Sequence, residues 1–398
     1  MSIFEVEHQA RAHRIIQQAL ASRRMPHAYL FAGPEGVGRE MLALRLAQVL
    51  LCAGPLRRPL PQDVCSGAAD PILTDGQGLD ACDVCQDCQL VAAGTHPDLF
   101  LIHRQLNRQH PDATIRKQKA LVLGVDVIRH FLVDRVGLRP NRGRAKVFVV
   151  REAERLNEAA QNALLKTLEE PPPDTFLILI TVAMEHLLPT TRSRGQAVVF
   201  QPLPSAYVAE RLGALRPTAN FDEIKYVATR AGGRLGLALR QIDDGLPALK
   251  RAWGDRLVEL TQAGPGFAPH SLAGPFTDDA EALGKLAAGR DPDISQTDAT
   301  RLGVQTLLAV LADFYVDAQR RAAGAGMPLL NADQPQVVDR LAAGRDAESL
   351  AADLQHLRDA DAQLARNVNL DLTIETLFIR LARSVRNRGS QRPAGSLA

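Results

Sequence analysis

Cysteine spacing and a glycine-rich loop are where this sequence concentrates its chemistry. Cys82-x-x-Cys85-x-x-Cys88 is a compact thiolate cluster, and one upstream cysteine, Cys52 or Cys65, brings it to the four sulfur ligands that structural Zn2+ takes. Four protein ligands close the tetrahedron and leave no open position, so such a metal holds structure and does no catalysis. Disulfides are the weaker reading, because the chain has five cysteines, an odd number, and four of them crowd into one region of a cysteine-poor sequence. A redox exchange needs two thiols and gains nothing from a third.

Gly33-Pro34-Glu35-Gly36-Val37-Gly38-Arg39-Glu40 has the G-x-x-x-x-G spacing of a phosphate loop. In a working loop, backbone amides cradle the phosphates, a lysine neutralises the β and γ oxygens, and a Ser or Thr hydroxyl coordinates magnesium. Arg39 and Glu40 stand at those last two positions. Arginine keeps the charge but bonds as a planar fork instead of a compact ammonium. Glu40 removes the hydroxyl and sets a carboxylate near the phosphates, where two unit charges roughly 4 Å apart repel by about 4 kcal/mol at an effective dielectric of about 20. The acidic pair that normally holds magnesium and polarises water reads Arg151-Glu152, after Val147-Phe148-Val149-Val150. Glu152 keeps the water-polarising position, while Arg151 puts a cation where the metal needs an acid. Losing both magnesium ligands predicts that this chain does not hydrolyse ATP. The competing reading of the loop is a plain glycine-rich turn between a strand and a helix.

Such residues work only on a suitable scaffold. From Phe31 to Phe200 short apolar runs alternate with amphipathic stretches, the pattern of βα units around a parallel sheet. Strands are expected at Ala28 to Ala32, Leu99 to His103, Lys146 to Val150 and Phe176 to Thr181. A helix is expected from Val37 to Leu51, with Val37, Met41, Leu44 and Leu51 on one face. Another runs from Asn157 to Glu170, capped by Asn157 and stopped by Pro171, Pro172 and Pro173. After Pro204 the strand signals fade into helices at 205–215, 221–231 and 235–242. Longer helices at 298–322, 346–365 and 372–386 follow a Pro/Gly-rich loop at Gly264 to Pro275. The expected fold is α/β: a parallel-sheet domain over 1–202 with the cysteine insertion at 52–88, a small helical domain over 203–245, a helix bundle over 246–388, and a flexible tail over 389–398.

A net charge of +2 from 47 basic and 45 acidic residues, with 4% aromatic residues, argues against an autonomous nucleic-acid binder. The charged stretch from Met1 to Arg14 is unlike a secretory signal, and the longest apolar run, Phe176 to Met184, is too short to span a bilayer. A cytoplasmic protein without membrane contact is expected. Arg139, Arg142, Arg144 and Lys146 read as a solvated basic loop, with a nucleic-acid phosphate contact as the alternative. His27, just before the first strand, reads as a capping or packing residue.

Three runs together resemble the clamp-loader family of bacterial DNA polymerase III: His27-Ala28-Tyr29-Leu30-Phe31-Ala32-Gly33-Pro34, the cysteines before Gly94-Thr95-His96-Pro97-Asp98, and the stretch from Asn162 to Pro172. Ser193-Arg194 is similar to the start of that family's Ser-Arg-Cys motif, with Gly195 in place of the cysteine, and Asn367-Val368-Asn369-Leu370 is similar to the end of its collar domain. The resemblance covers almost the whole chain and implies an AAA+ P-loop domain with a lid domain and a collar domain. The degraded ATP motifs fit the delta-prime type better than the catalytic gamma/tau type, with an active gamma/tau-type ATPase as the alternative. Family membership implies gamma/tau and delta subunits as partners, along with the sliding clamp and primed DNA. It also implies Cys52, at the end of the helix after the phosphate loop, as the first zinc ligand in preference to Cys65, which lies in a long segment that relatives lack. Arg194 becomes the expected arginine finger, offered in trans to a neighbour's ATP, with Arg192 as its rival. Gly236 stands where relatives carry an arginine that senses nucleotide. Thr181, at the position of a polar γ-phosphate sensor, reads as an ordinary strand residue.

Overall fold

The computed structural model describes residues 2–65, 76–142, 144–262, 267–366 and 368–386. Asn367, the tail expected at 389–398 and the middle of the segment 53–81 lie outside the described residues. Two units divide the chain: 1–208 with 232–237, and 209–231 with 238–398.

In the first unit, α1 (Ala10–Ser22) leads into β1 (Ala28–Ala32), and α2 (Arg39–Leu51) follows the glycine loop. An excursion then forms β2 (Leu56–Pro59), α3 (Gln62–Cys65), β3 (Gln77–Asp80) and α4 (Gln86–Ala92) before β4 (Leu99–Ile102). The short helices α5 (Ala113–Arg116), α6 (Val125–Ile128) and α7 (Asp134–Val136) precede β5 (Lys146–Val150). α8 (Glu158–Glu169), β6 (Thr175–Thr181), α9 (Pro189–Arg192) and β7 (Gln196–Val199) complete the sheet layer. Strand order is β4-β5-β6-β1-β7, with every neighbouring pair parallel, while β2 and β3 pair antiparallel as a separate hairpin. This order brings the carboxyl ends of β1, β6 and β5 to one edge, so Gly33, Thr181 and Arg151 gather there, where open parallel sheets place their ligand crevice.

Alternation along the strands sorts the core into two faces. Tyr29, Phe31, Val147, Val149, Ile178 and Ile180 pack with α1 and α2, whereas Leu30, Phe148, Val150, Leu177 and Leu179 pack with α6 and α8. Full burial of each such side chain contributes about 1.5–3 kcal/mol relative to exposure. The expected face of α2 needs correction. Met41 is exposed, and the helix buries Leu42, Ala43, Leu46, Ala47 and Val49, because the sheet, the N-terminal turn and α4 cover it on several sides and blur a single stripe. α8 forms as expected, with the Asn157 side chain accepting from the Ala160 amide at 2.8 Å.

α10 (Ser205–Leu215) and α12 (Leu235–Asp243) cross the division between units, and α11 (Phe221–Arg230) lies in the second. The second unit continues as α13 (Leu246–Thr261), α14 (His270–Arg290), α15 (Gln296–Ala322), α16 (Pro335–Ala342), α17 (Ala347–Ala365) and α18 (Leu370–Arg386). Trp253, Phe276, Phe314 and Phe378 centre its core, with Trp253 stacked on Phe378 at 6.0 Å. Pro275, expected in a loop, lies inside α14. No helix among the described residues is long and apolar enough to cross a membrane.

Candidate functional site

The glycine loop takes the shape its sequence demands. Gly36 and Gly38 have φ of +78° and +97°, a region open to glycine, and Gly38 caps α2. A Cβ on Gly33 would meet the Phe200 carbonyl oxygen at 2.6 Å, so the loop runs hard against the residue that follows β7. Gly36 is itself covered: its carbonyl accepts from the Gly236 amide at 3.1 Å, and the two glycine backbones touch.

The charged side chains around this loop are engaged with one another. Arg39, buried in the first turn of α2, turns inward and donates to the Thr181 carbonyl at the end of β6. Burial pushes its guanidinium below the usual arginine range, against Glu154, Glu35 and Glu40, which favour its charge. Glu40 pairs with Arg151, so the residues at the two magnesium-ligand positions form an ion pair with each other. The carboxylate repulsion expected on phosphate is thereby offset by a neighbouring cation. Glu152, in a left-handed backbone conformation with φ of +50°, accepts from Arg104 Nε at 3.1 Å and pairs with Arg155 Nε at 3.2 Å. Beside them, burial first and then the Arg151 charge hold His103 below its ordinary value. Thr181 is fully buried and spends its hydroxyl on Ala183, donating to the carbonyl at 3.0 Å and accepting from the amide at 3.1 Å.

At the opposite end of α2 the cysteines come together. Cys52 is the C-cap of α2, and Cys85 is the N-cap of α4, accepting from the Cys88 amide at 3.4 Å. The sulfurs of Cys52, Cys82, Cys85 and Cys88 all lie within 4.8 Å of one another, with Cys52–Cys85 at 4.0 Å and Cys82–Cys88 at 3.9 Å. A tetrahedron with zinc–sulfur bonds of about 2.3 Å has an edge of about 3.8 Å, so the donor set fits a four-sulfur metal. The Cys82 amide also donates to Cys52 Sγ at 3.3 Å and the Cys85 amide to Cys82 Sγ at 3.4 Å, the direction of dipole that a thiolate needs. Burial alone would raise the Cys85 thiol, but hydrogen bonds from the Ala53 and Cys88 amides bring it down to about 6. Burial and the neighbouring thiols push Cys88 up. Cys65 stands apart, exposed, with its sulfur 3.9 Å from the Leu60 carbonyl.

Arg194 follows α9 and pairs with Glu169 at 2.6 Å, while its other terminal nitrogen donates to the Thr190 carbonyl at 2.7 Å. Arg192 is exposed. His27 contacts the Leu168 carbonyl at 2.7 Å, a packing role at the end of α8. The basic loop is largely internal in its bonding. Arg142 reaches Asp87 and Gln86, Arg144 reaches the Cys52 and Ala53 carbonyls, and buried Lys146 donates to the Arg135 and Leu138 carbonyls. Sequence reasoning missed these ties and the Glu40–Arg151 pair, although opposite charges at the two metal-ligand positions were a readable signal.

The family described as "DNA polymerase III, delta subunit" matches residues 8–71 and 68–204, and the one described as "DNA polymerase III, delta subunit, C terminal" matches residues 298–383. A DNA polymerase III subunit delta' of Bacillus subtilis is 31% identical over 52% of the chain and 51% of its own length, so the chain spans about half the length of that relative. The Escherichia coli delta' subunit is 29% identical over 89% of the chain and 88% of its own length. A gamma/tau subunit of Mycobacterium tuberculosis is 32% identical over 58% of the chain but only 35% of its own length.

Proposed function

We propose that this chain, which belongs to the DNA polymerase III delta-prime family of clamp-loader subunits, is a non-hydrolysing AAA+ subunit that completes a neighbour's ATP site. The observation that carries the reading is the state of its own phosphate site. A magnesium-bound nucleotide needs a free cation for the phosphates, a hydroxyl and an acid for the metal, and an unencumbered carboxylate for the water. Here Arg39 is spent on Thr181, Glu40 on Arg151, and Glu152 on Arg104 and Arg155.

Arg194 supplies what the neighbour needs. A positioned guanidinium stabilises the charge that spreads over the γ-phosphoryl oxygens, and such fingers are worth about 10^3 to 10^5 in rate. Its present partner, Glu169, is half-exposed, and surface pairs of that kind contribute about 0–1 kcal/mol, so a γ-phosphate can take over the arginine at little cost. The partners in this reading are gamma/tau and delta subunits, with the sliding clamp and primed DNA reached through the assembled loader in the cytoplasm. Residues 1–202, 203–245 and 246–388 act as the AAA+, lid and collar parts. Cys52, Cys82, Cys85 and Cys88 hold one structural zinc, which supplies a rigid cross-link and no reaction chemistry.

The isolated chain should show no magnesium-dependent ATP turnover above that of an Arg39→Ala variant; turnover would instead mark an active gamma/tau-type ATPase. In a reconstituted loader, Arg194→Ala should leave assembly and zinc content intact and lower ATPase rate and clamp loading at least tenfold. Wild-type loading by that variant would reduce Arg194 to a surface residue.

A further inference from the structure

We propose that Arg144 and Arg142 are positioning residues of the metal site, fastening the cysteine knuckle to β5, the strand that leads into Arg151-Glu152. The inference rests on reading the four cysteines as a metal site. Arg144 lies two residues before β5 and spreads its fork over two carbonyls, donating to Cys52 O at 2.8 Å and to Ala53 O. Those carbonyls belong to the C-terminal end of α2, where the last helical acceptors lack intrahelical partners and the helix dipole favours a cation. Arg142 pairs through Nε with Asp87, which lies between Cys85 and Cys88 in α4, and donates through Nη2 to Gln86 Oε1 at 2.9 Å. The backbone at Arg142 is fixed as well. Fully buried Asp98 accepts from the Asn141 amide at 2.7 Å and the Arg142 amide at 2.9 Å. From the other side, Gln48 of α2 donates to the Cys88 carbonyl at 3.3 Å and to Asp83 at 3.2 Å.

The chemistry favours cations at these places. Four thiolates around one divalent ion leave a net negative charge, which nearby guanidiniums offset, and partners one bond beyond the ligands orient the ligands themselves. Cys52 is the ligand most in need of such help, because it comes from a helix end 30 residues before Cys82. A lysine at 144 would bring the charge without the fork, satisfying one carbonyl at a time.

Zinc release to a chromogenic chelator, measured on the full-length chain at a temperature where circular dichroism shows every variant folded, tests the proposal. Arg144→Ala should release zinc about 10- to 100-fold faster than wild type, the usual range for such partners, with Arg144→Lys intermediate. Arg142→Gln should accelerate release as well, and carries the test should Arg144→Ala fail to fold. Arg139→Ala, an exposed basic residue of the same loop, should leave the rate unchanged. A wild-type chain that holds one zinc while Arg144→Ala and Arg142→Gln release it at the wild-type rate overturns the inference and spares the metal site. Equal acceleration by Arg139→Ala overturns it too, by reducing the effect to loop charge. A wild-type chain without zinc sinks the metal reading itself.

Discussion

The two ends of α2 answer the same problem in opposite ways. Its first turn carries the phosphate loop, and its C-cap is Cys52; 13 residues, about 20 Å of helix, separate them. At the cysteine end four like groups converge in a geometry that fits a single cation. At the phosphate end unlike charges converge and satisfy one another. A cluster of polar residues in a crevice is therefore no evidence of a binding site until the pairing of its charges is known.

Removing one member of each cluster should sharpen that contrast. Cys88→Ser should abolish stoichiometric zinc and destabilise the first unit by about 4 kcal/mol or more, as losses of a structural metal do, while Cys65→Ser should change neither zinc content nor thermal midpoint. If Cys65→Ser lost the metal and Cys52→Ser kept it, the convergence of Cys52 with the other three sulfurs would be misleading.

At the phosphate end the effects should be smaller and internal. Arg39→Ala removes a charged donor from the Thr181 carbonyl and should cost about 1.5–3 kcal/mol in chemical denaturation. A double-mutant cycle on Glu40→Ala and Arg151→Ala should give a coupling of about 0.2–1 kcal/mol that fades in high salt, because both side chains are more than a third exposed. A coupling of zero at low salt would break the claim that the two replacements serve each other.

The smallest effect concerns pH. Burial holds His13 below its ordinary value of 6.5, against the Val6 carbonyl and Asp63, which favour its charged form. His13 lies 2.7 Å from that carbonyl, and Val6 packs on Gly38 of the phosphate loop. The unfolded chain binds the proton more readily, so stability is present above pH 6.5 and declines as pH falls from there toward the lowered folded value. Thermal melts between pH 7.5 and 5.5, with zinc followed in the same samples because thiol protonation also releases metal, should show a fall that His13→Gln reduces. An equal fall in both proteins at constant zinc would remove His13 from the account.

Much of the fold was legible where local signals were strong. β1, β5 and β6 are almost wholly buried and mostly apolar, and α8 has an asparagine at one end and three prolines at the other. β7 escaped notice because Gln196–Val199 is short and mostly exposed, and the β2–β3 hairpin because Leu56–Pro59 carries two arginines and no apolar alternation. Pro275 misled because a proline normally ends a helix; it follows Gly274, whose missing Cβ eases the clash with the proline ring. At the candidate site, residue types and spacing located both clusters, and the three evenly spaced cysteines needed only a helix end to complete them. The Glu40–Arg151 pair spans 111 positions and was signalled only by the opposite charges at the two metal-ligand positions, which the sheet order makes neighbours, while the partners of Arg104, Arg142 and Arg144 left no such signal.

The contact between Gly36 and Gly236 bears on whether, under the proposed reading, a working ATP site could be rebuilt here. Substitutions at 39, 40 and 151 would restore the textual motif of an ATPase, lysine, hydroxyl and acid. An arginine at 236 is another matter. Its Cβ would lie 2.9 Å from the Gly36 Cα, closer than real atoms pack, so two backbones would have to part before that side chain could enter. Under the proposed non-hydrolysing reading, an arginine at 236 therefore needs a shift of main chain that no side-chain replacement supplies.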